Sequence, residues 1–368
     1  MNQYKIYVYA ICKNEEQFVE RWMNSVSEAD GVIVTDTGST DDTIKKLREK
    51  GAIVYEETIS PWRFDKARTI SLNHIPEDAD ICVCNDLDEI FEPGWRSKLE
   101  SAWHPQYTRA RYLFACEHHL DGTPSKFHSM EKIHRRHDFR WVHPVHEILE
   151  YSGTDPDRTI QIDNLILHHY PDLSKSRSQY LPLLELSVKE NPKDDRAMFW
   201  LGREYMYYGK FRQCIETLQK HLALPSALWN EERSASMRFI AQSFDALNER
   251  QSAIQWLFRA IAECPHIREP YVALCKIGYL EENWPLVYAM AEKGLSITYK
   301  SDSYLSQLDS WGPSLYDYGA ISAYRLGLYE ESIEYAKKAC ELSPDDERLH
   351  TNLRLIQSKL DESKKGAF

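Results

Sequence analysis

Three acidic side chains follow a short apolar run in the first quarter of the chain. Residues 81–84 read Ile-Cys-Val-Cys, and Asp86, Asp88 and Glu89 come soon after them. Carboxylates this close together repel one another unless a cation lies among them. Carboxylate and water oxygens suit Mg²⁺ or Mn²⁺, ions that also bind phosphate oxygens. The spacing therefore predicts a divalent-metal site, with a solvated acidic loop as the plainer alternative.

Two earlier polar segments also follow apolar runs. Asp36 ends the run of residues 31–36, and Gly38 permits a tight turn before the next helix. Ser39 and Asp42 are predicted to cap that helix, whereas Asp36 caps nothing obvious. Its carboxylate can accept a hydrogen bond from a base N–H or a ribose hydroxyl. The polar residues 11–15 follow the opening strand, where open α/β sheets bind ligands, although a simple charged loop would look the same.

The elements that must position these residues alternate between strand and helix. Strands are predicted at residues 4–10, 31–36, 52–56 and 80–85, and helices at residues 15–29 and 39–50, where apolar residues recur at helical spacing or a cap and a Gly mark the ends. This β–α–β–α–β order predicts a parallel sheet. The carboxyl ends of its strands would bring the polar segments to one edge.

From about residue 194 the pattern is entirely helical. Four helical hairpins are predicted, at residues 196–222, 231–264, 269–297 and 315–342, followed by a capping helix at residues 348–360. Residues 316–344 resemble a tetratricopeptide repeat, and residues 300–313 look like an insertion. Such hairpins must stack to bury their apolar faces. The array could be a scaffold without a specific ligand, or a concave surface that holds a partner, an acceptor or a second subunit.

Taken together, the polar segments resemble those of the family 2 glycosyltransferases. The matching stretches are ICKNEEQFVERWMNSV, VIVTDTGSTDDT, RFDKART, NDLDEIF and VHPVHE, in an order and spacing that extend over most of residues 1–170. The resemblance implies a GT-A domain at residues 1–170, a linker helix at residues 171–193 and a tetratricopeptide-like array at residues 194–368. The fold class is therefore α/β plus all-α, with a parallel-rich nucleotide-binding sheet.

The resemblance also implies an activity. Family 2 enzymes transfer a sugar from a nucleotide-sugar to an acceptor with inversion, and here a UDP-sugar and Mn²⁺ or Mg²⁺ would be expected. A divalent ion stabilises the charge that builds up on the leaving diphosphate. The acceptor stays open between a peptide or protein, a glycan and a modified nucleic acid.

Residue roles follow from the resemblance position by position. Asp36 would contact the base, Asp86 would face the ribose or the metal, and Asp88 would hold the ion. Glu147 would be the catalytic base, and His146 is its alternative or a metal ligand. The expected metal ligands are Asp86, Asp88, His146 and His168. His168 and its neighbour His169 follow the apolar run 165–167 and could turn towards the ion, although a histidine in such a place is more often structural. The expected nucleotide-binding residues are Ile11, Lys13, Asn14, Glu15, Asp36, Gly38, Arg68, Asp86, Leu87 and Asp88.

Two alternatives stay open. Arg68 could instead form a salt bridge with Asp65 or Asp86. The whole chain could be a non-catalytic interaction protein, with repeats that bind a partner and a vestigial transferase domain. A nucleotidyltransferase is disfavoured, because the opening turn has Lys13 but no Gly-rich run.

Composition narrows the classes of partner and compartment. The net charge of -12 weighs against a broad nucleic-acid or anionic-lipid surface. No apolar run of about 18 residues predicts a membrane span, and no secretory leader is evident. The eight cysteines contain no C-x-x-C pair, which predicts reduced, buried thiols and a cytoplasmic protein. The chain could form a homo-oligomer, or bind a protein partner, through the repeats.

Overall fold

A computed structural model describes residues 3–119, 121–172 and 178–365 of the chain. The chain divides into two compact units, Met1–Glu190 and Asn191–Phe368. Most of the segment predicted as a linker, residues 171–193, belongs to the first unit, including a helix at Tyr180–Glu190. Residues 173–177 of that segment lie outside the described residues.

The first unit is built on an eight-stranded sheet and a two-stranded hairpin, as far as its described residues extend. The strands are β1 Ile6–Cys12, β2 Gly31–Asp36, β3 Ile53–Glu56, β4 Ile81–Cys84, β5 Glu89–Phe91, β6 Arg109–His118, β7 Pro124–Arg135, β8 Phe139–Val142, β9 Ile148–Tyr151 and β10 Thr159–His169. The large sheet has the order β3-β2-β1-β4-β7-β6-β10-β5, and β8 pairs with β9. The β3-β2-β1-β4 half is parallel, as predicted, whereas β4–β7, β6–β7 and β5–β10 are antiparallel. The sheet is therefore mixed.

The side chains of β1 point alternately to the two faces of the large sheet, and each face is covered by an apolar core. Ile6, Val8 and Ala10 pack in one apolar cluster, while Tyr9 packs in another with Trp141. Side chains in a strand point alternately to opposite faces, so both faces must be covered. The cysteines confirm the predicted free thiols: all eight are unpaired, and seven are buried.

The helices of the first unit are α1 Val19–Ser25, α2 Thr43–Glu49, α3 Phe64–Asn73, α4 Trp95–Ala102 and α5 Tyr180–Glu190. The first two are shorter than predicted. Asp42 makes no capping hydrogen bond through its side chain. Instead, Asp41 accepts a hydrogen bond from the N–H of Thr43 at 3.0 Å, and Ser39 belongs to the preceding turn. Asp42 therefore stands at the N-cap position but does not cap through its side chain, and Ser39 is not a cap because it belongs to the preceding turn.

Every regular element in the described residues of the second unit is a helix. Its helices are α6 Asp195–Tyr207, α7 Phe211–Ala223, α8 Asn230–Ala246, α9 Arg250–Glu263, α10 Glu269–Leu280, α11 Trp284–Leu295, α12 Ser314–Arg325, α13 Tyr329–Leu342 and α14 Glu347–Lys365, with a short 3₁₀ helix at Leu308–Trp311. They reproduce the predicted hairpins to within a few residues. Gly209 and Gly327 take positive φ angles of 69° and 79° between paired helices, a conformation that Gly adopts at little cost. A Cβ atom on Gly202 would lie 2.3 Å from Leu218, so α6 and α7 need Gly there.

A buried histidine should make the first unit sensitive to acid. His134 is fully buried; its Nδ1 donates to the carbonyl of Arg135 at 2.7 Å, and its Nε2 accepts from the hydroxyl of Tyr9 at 2.9 Å. Both ring nitrogens are therefore satisfied in the neutral form. Burial lowers the pKa of His134 to about 3, and the positive charges of Arg109 and Arg136 act in the same direction.

We expect protons to favour the unfolded chain, because an unfolded histidine binds a proton at a pKa of about 6.5. Relative to a His134→Gln variant, the wild type should lose about 1.4 kcal/mol of unfolding free energy per pH unit as pH falls from about 6.5 towards 3. Urea unfolding of both proteins at several pH values measures this difference. A difference that does not change with pH would contradict the assignment.

Candidate functional site at the carboxyl edge of the sheet

The loops that follow β1 and β2 are joined by hydrogen bonds at the carboxyl edge of the sheet. The N–H of Asn14 donates to Ser39 Oγ at 2.9 Å, and the side chain of Asn14 accepts from the N–H of Thr40 at 2.7 Å. The N–H of Glu15 donates to Thr43 Oγ1 at 2.8 Å, where α2 begins. The structure thus brings the turn after β1, which was predicted to bind nucleotide, against the turn after β2. In the turn after β1, Lys13 is exposed, and Ile11 near the end of β1 is half-buried.

Asp36 holds the turn after β2 together. It is 1% exposed, and its Oδ1 accepts hydrogen bonds from the N–H groups of Gly38 and Ser39, both at 2.9 Å. Its Oδ2 accepts from the hydroxyl of Ser39 and, at 3.4 Å, from the thiol of Cys12. Asp36 therefore does not cap α2, which begins at Thr43, but its carboxylate accepts the N–H groups of its own turn. Contact between Asp36 and a nucleotide base stays a prediction.

Arg68 on α3 links two of the predicted acids. It is 6% exposed, and its Nη1 and Nη2 donate to the two oxygens of Asp86 at 2.6 and 2.8 Å. Its Nε donates to Glu147. Of the two predicted salt-bridge alternatives, Arg68 takes Asp86, while Asp65 pairs with Arg63 at 2.8 Å. A bidentate, buried guanidinium of this kind fixes both carboxylates in place.

Lys132 on β7 extends this charge cluster. Its Nζ lies 3.0 Å from Asp86 Oδ2 and 2.9 Å from Glu89 Oε1. Burial acts to raise the pKa of Asp86, but the charges of Arg68 and Lys132 outweigh it and hold that pKa well below its usual range. For Glu89 burial dominates, and its pKa is raised. Both oxygens of Asp86 are thus engaged by the cationic side chains of Arg68 and Lys132, and its roles towards a ribose or a metal stay predictions.

Asp88 lies beside His169, the second of the two neighbouring histidines of β10. Its Oδ2 is 3.3 Å from Nε2 of His169, and its carbonyl accepts from the N–H of Tyr170 at 2.8 Å. His168 instead contacts His118 at 3.0 Å and Glu92 at 3.3 Å. Adjacent residues of β10 point to opposite faces of the sheet, so only one of the two histidines can face Asp88. In this arrangement His169, not His168, is the histidine beside Asp88, and metal binding by His168 stays a prediction.

The remaining predicted residues divide between the edge and the core. The ring of His146 lies edge-on to Tyr180 of α5 at 5.7 Å, and its role as base or metal ligand stays a prediction. Leu87 is fully buried in the apolar core, so only its backbone could contribute to binding. Within the described residues of the first unit, no third histidine, cysteine or carboxylate completes a metal cluster around Asp88 and His169.

Sequence reasoning missed Lys132 as a member of this edge. Glu89 was among the three acids that follow the apolar run 81–84, and His169 was considered together with His168 after the apolar run 165–167. No local signal existed for Lys132, whose pairing with Asp86 depends on the antiparallel contact between β4 and β7.

Residues 313–346 match the family model of a tetratricopeptide repeat. Among solved structures, the crystal structure of MamA shares 22% identity with a TM-score of 0.38, over 49% of this chain and 99% of that one. A thermophilic tetratricopeptide protein of Thermus thermophilus shares 18% with a TM-score of 0.34, over 48% and 88%. The C-terminal part of a repeat protein of Cytophaga hutchinsonii shares 15% with a TM-score of 0.40, over 51% and 69%.

Among the described residues, no helix has both the length and the apolar character needed to cross a bilayer. The comparisons concern repeat proteins, so the resemblance of residues 1–170 to family 2 glycosyltransferases stays a prediction. The chain carries a tetratricopeptide repeat near its C-terminal end, and similar helical hairpins precede it.

Proposed function

We propose that the first unit transfers a sugar from a nucleotide-sugar, with a divalent ion bound at Asp88 and His169. The observation that carries this proposal is the pairing of these two side chains at 3.3 Å, beside the Arg68–Asp86 cluster at the carboxyl edge of the sheet. Imidazole and carboxylate together suit Mn²⁺ or Zn²⁺, and diphosphate oxygens would supply further ligands.

Charge favours a metal-dependent donor site over direct binding of phosphate. Arg68 and Lys132 are the cations of the cluster, and they are already paired with the carboxylates of Asp86, Glu89 and Glu147. Asp88 adds a further acid at the same edge. A diphosphate approaching these groups would be repelled unless a cation neutralised part of their charge. The ion would also stabilise the charge on the leaving diphosphate during transfer.

The acceptor would attack the anomeric carbon from the face opposite the leaving diphosphate, which gives inversion. Glu147 is proposed as the base that takes the acceptor proton, a role worth typically about 10²–10⁴-fold in rate. Its hydrogen bond with Arg68 fixes its position. A peptide or protein, a glycan and a modified nucleic acid all stay open as acceptors.

Donor hydrolysis tests this function without knowledge of the acceptor. The full chain, stripped with a chelator, is incubated with UDP-, GDP- and TDP-sugars, each with Mn²⁺, Mg²⁺ or no metal, and released nucleotide diphosphate is measured. We expect release from one class of donor that depends on the metal. The proposal would be refuted if the protein hydrolysed none of the donors and also bound no nucleotide diphosphate in a metal-dependent way.

The two neighbouring histidines of β10 provide a matched pair of variants. We expect His169→Asn to weaken Mn²⁺-dependent binding of the nucleotide diphosphate by about 100-fold, because a metal ligand is removed and even supporting contacts are worth about 10–100-fold. His168→Asn should change it by less than about threefold, since His168 faces Glu92 instead. Calorimetric titration of both variants measures this difference, and the reverse order would contradict the proposed ligand.

A second candidate is a non-catalytic interaction protein, which the repeat match at residues 313–346 favours. Stacked repeats of this type form extended surfaces that hold partners. In that case the first unit would be vestigial. The same titrations separate the two candidates, because a vestigial unit would bind no nucleotide diphosphate with or without metal.

A further inference from the structure

Three potential metal ligands converge in the second unit, at one end of its first three helices. Asp195 is the first residue of α6, His221 lies in the last turn of α7, and Glu232 lies in the first turn of α8. One nitrogen or oxygen atom from each of them lies within 4.8 Å of the others. None of these residues belongs to the site proposed for the nucleotide-sugar.

The imidazole of His221 points an unsatisfied nitrogen into this cluster. The side chain is completely buried, and its Nδ1 lies 2.9 Å from the hydroxyl oxygen of Ser236. Its Nε2 makes no hydrogen bond within the described residues, although it is 3.4 Å from Oε1 of Glu232. A buried polar atom without a partner is costly, and it marks a position where an unobserved ligand can bind.

We propose that Asp195, His221 and Glu232 bind a divalent transition-metal ion, with Zn²⁺ as the preferred occupant. One imidazole and two carboxylates form a mixed nitrogen and oxygen ligand set, which suits Zn²⁺ better than Mg²⁺ or Ca²⁺. Zn–ligand distances of about 2.1 Å place tetrahedral ligand atoms roughly 3.4 Å apart. The His221–Glu232 pair already has that separation, and the ligand atom of the half-buried Asp195, within 4.8 Å of the other two, would have to move closer to complete the set.

The surroundings of the three ligands support binding of a cation. With a metal ion on Nε2, the N–H at Nδ1 of His221 would donate to Ser236, the kind of outer contact that orients metal-bound histidines. The second oxygen of Glu232 accepts a hydrogen bond from the hydroxyl of Tyr304 at 3.1 Å. Glu232 is 6% exposed, so its charge has little solvent to stabilise it. The half-buried Asp195 leaves a side from which water could reach a fourth coordination position.

A bound ion would join α6, α7 and α8, which lie at the start of the repeat array. The other explanation of the cluster is a protonated His221 that pairs with the two carboxylates and binds no metal. The two explanations differ in stoichiometric metal binding, which can be measured without reference to sugar transfer.

The test uses the full chain with Asp88→Asn, so that the donor site proposed in the first unit does not contribute. After chelator treatment, Zn²⁺ is titrated by calorimetry, and Co²⁺ is titrated by visible absorption as a probe of coordination. We expect one ion per chain, with visible Co²⁺ bands. Adding His221→Gln should weaken binding by about 100-fold or more, and Ser236→Ala by about 10-fold.

Control variants keep the outcome decisive. His350→Gln, in α14 of the same unit, should leave Zn²⁺ binding unchanged because its ring bonds to the carbonyl of Pro344. If His221→Gln fails to fold, Asp195→Asn provides the same test at a half-buried position. Absence of stoichiometric Zn²⁺ binding by folded protein, or equal binding in the Asp195→Asn variant, would overturn the proposal.

Discussion

Asp88→Asn is expected to reduce metal-dependent hydrolysis of the nucleotide-sugar by about 10³-fold or more, because an ion on the diphosphate supplies several kcal/mol of transition-state stabilisation. The substitution keeps the shape of the side chain but removes its charge. It also weakens the contact with His169, which lies 3.3 Å away. Binding of the nucleotide diphosphate should lose its dependence on Mn²⁺ in the same variant.

Glu92→Gln is the matched control for this experiment. Glu92 directly follows β5 and contacts His168, so the substitution removes one negative charge close to the same edge without touching Asp88. Its rate should stay within about threefold of the wild type, as expected for a carboxylate outside the reacting site. Full metal-dependent activity of Asp88→Asn, with the control also active, would show that the ion is bound elsewhere.

Much of the fold could be predicted because its signals are local. The apolar runs of β1, β2 and β4 are short and end in polar turns, which locates the strands along the chain, and the helices between them predict that the strands are parallel. Helical spacing together with Gly209 and Gly327 located the hairpins of the second unit. The antiparallel strand β7 was harder to predict from the sequence, because exposed and buried residues do not alternate regularly along it. Its partners, β4 and β6, are set by contacts between distant parts of the chain.

The candidate site was predicted less completely than the fold, because its charges pair across distant elements. Sequence spacing placed Asp86 and Asp88 at a strand end. It could not show that Arg68 and Lys132 form ion pairs with Asp86, whereas Asp88 contacts His169. A shift of one residue in a strand turns a side chain to the other face, so the sequence alone could not decide which of His168 and His169 lies beside Asp88.

The charge cluster also makes a strong prediction about stability. Arg68→Met should lower the free energy of unfolding of the first unit by about 3–5 kcal/mol, because it leaves buried carboxylates without their partner. Asp86 and Glu147 both lose a hydrogen-bonded cation, and Lys132 can compensate only Asp86. Urea unfolding of the full chain, followed by tryptophan fluorescence, measures the loss.

Two further variants separate a buried charge effect from a general loss of packing. Lys50→Met removes the exposed ion pair with Glu20, and it should cost no more than about 1 kcal/mol. Adding Asp86→Asn to Arg68→Met should recover part of the lost stability, because one unpaired buried charge is removed. If the double variant is less stable than Arg68→Met by the full cost of Asp86→Asn alone, Arg68 stabilises the unit through its packing on Trp141 rather than through its charge.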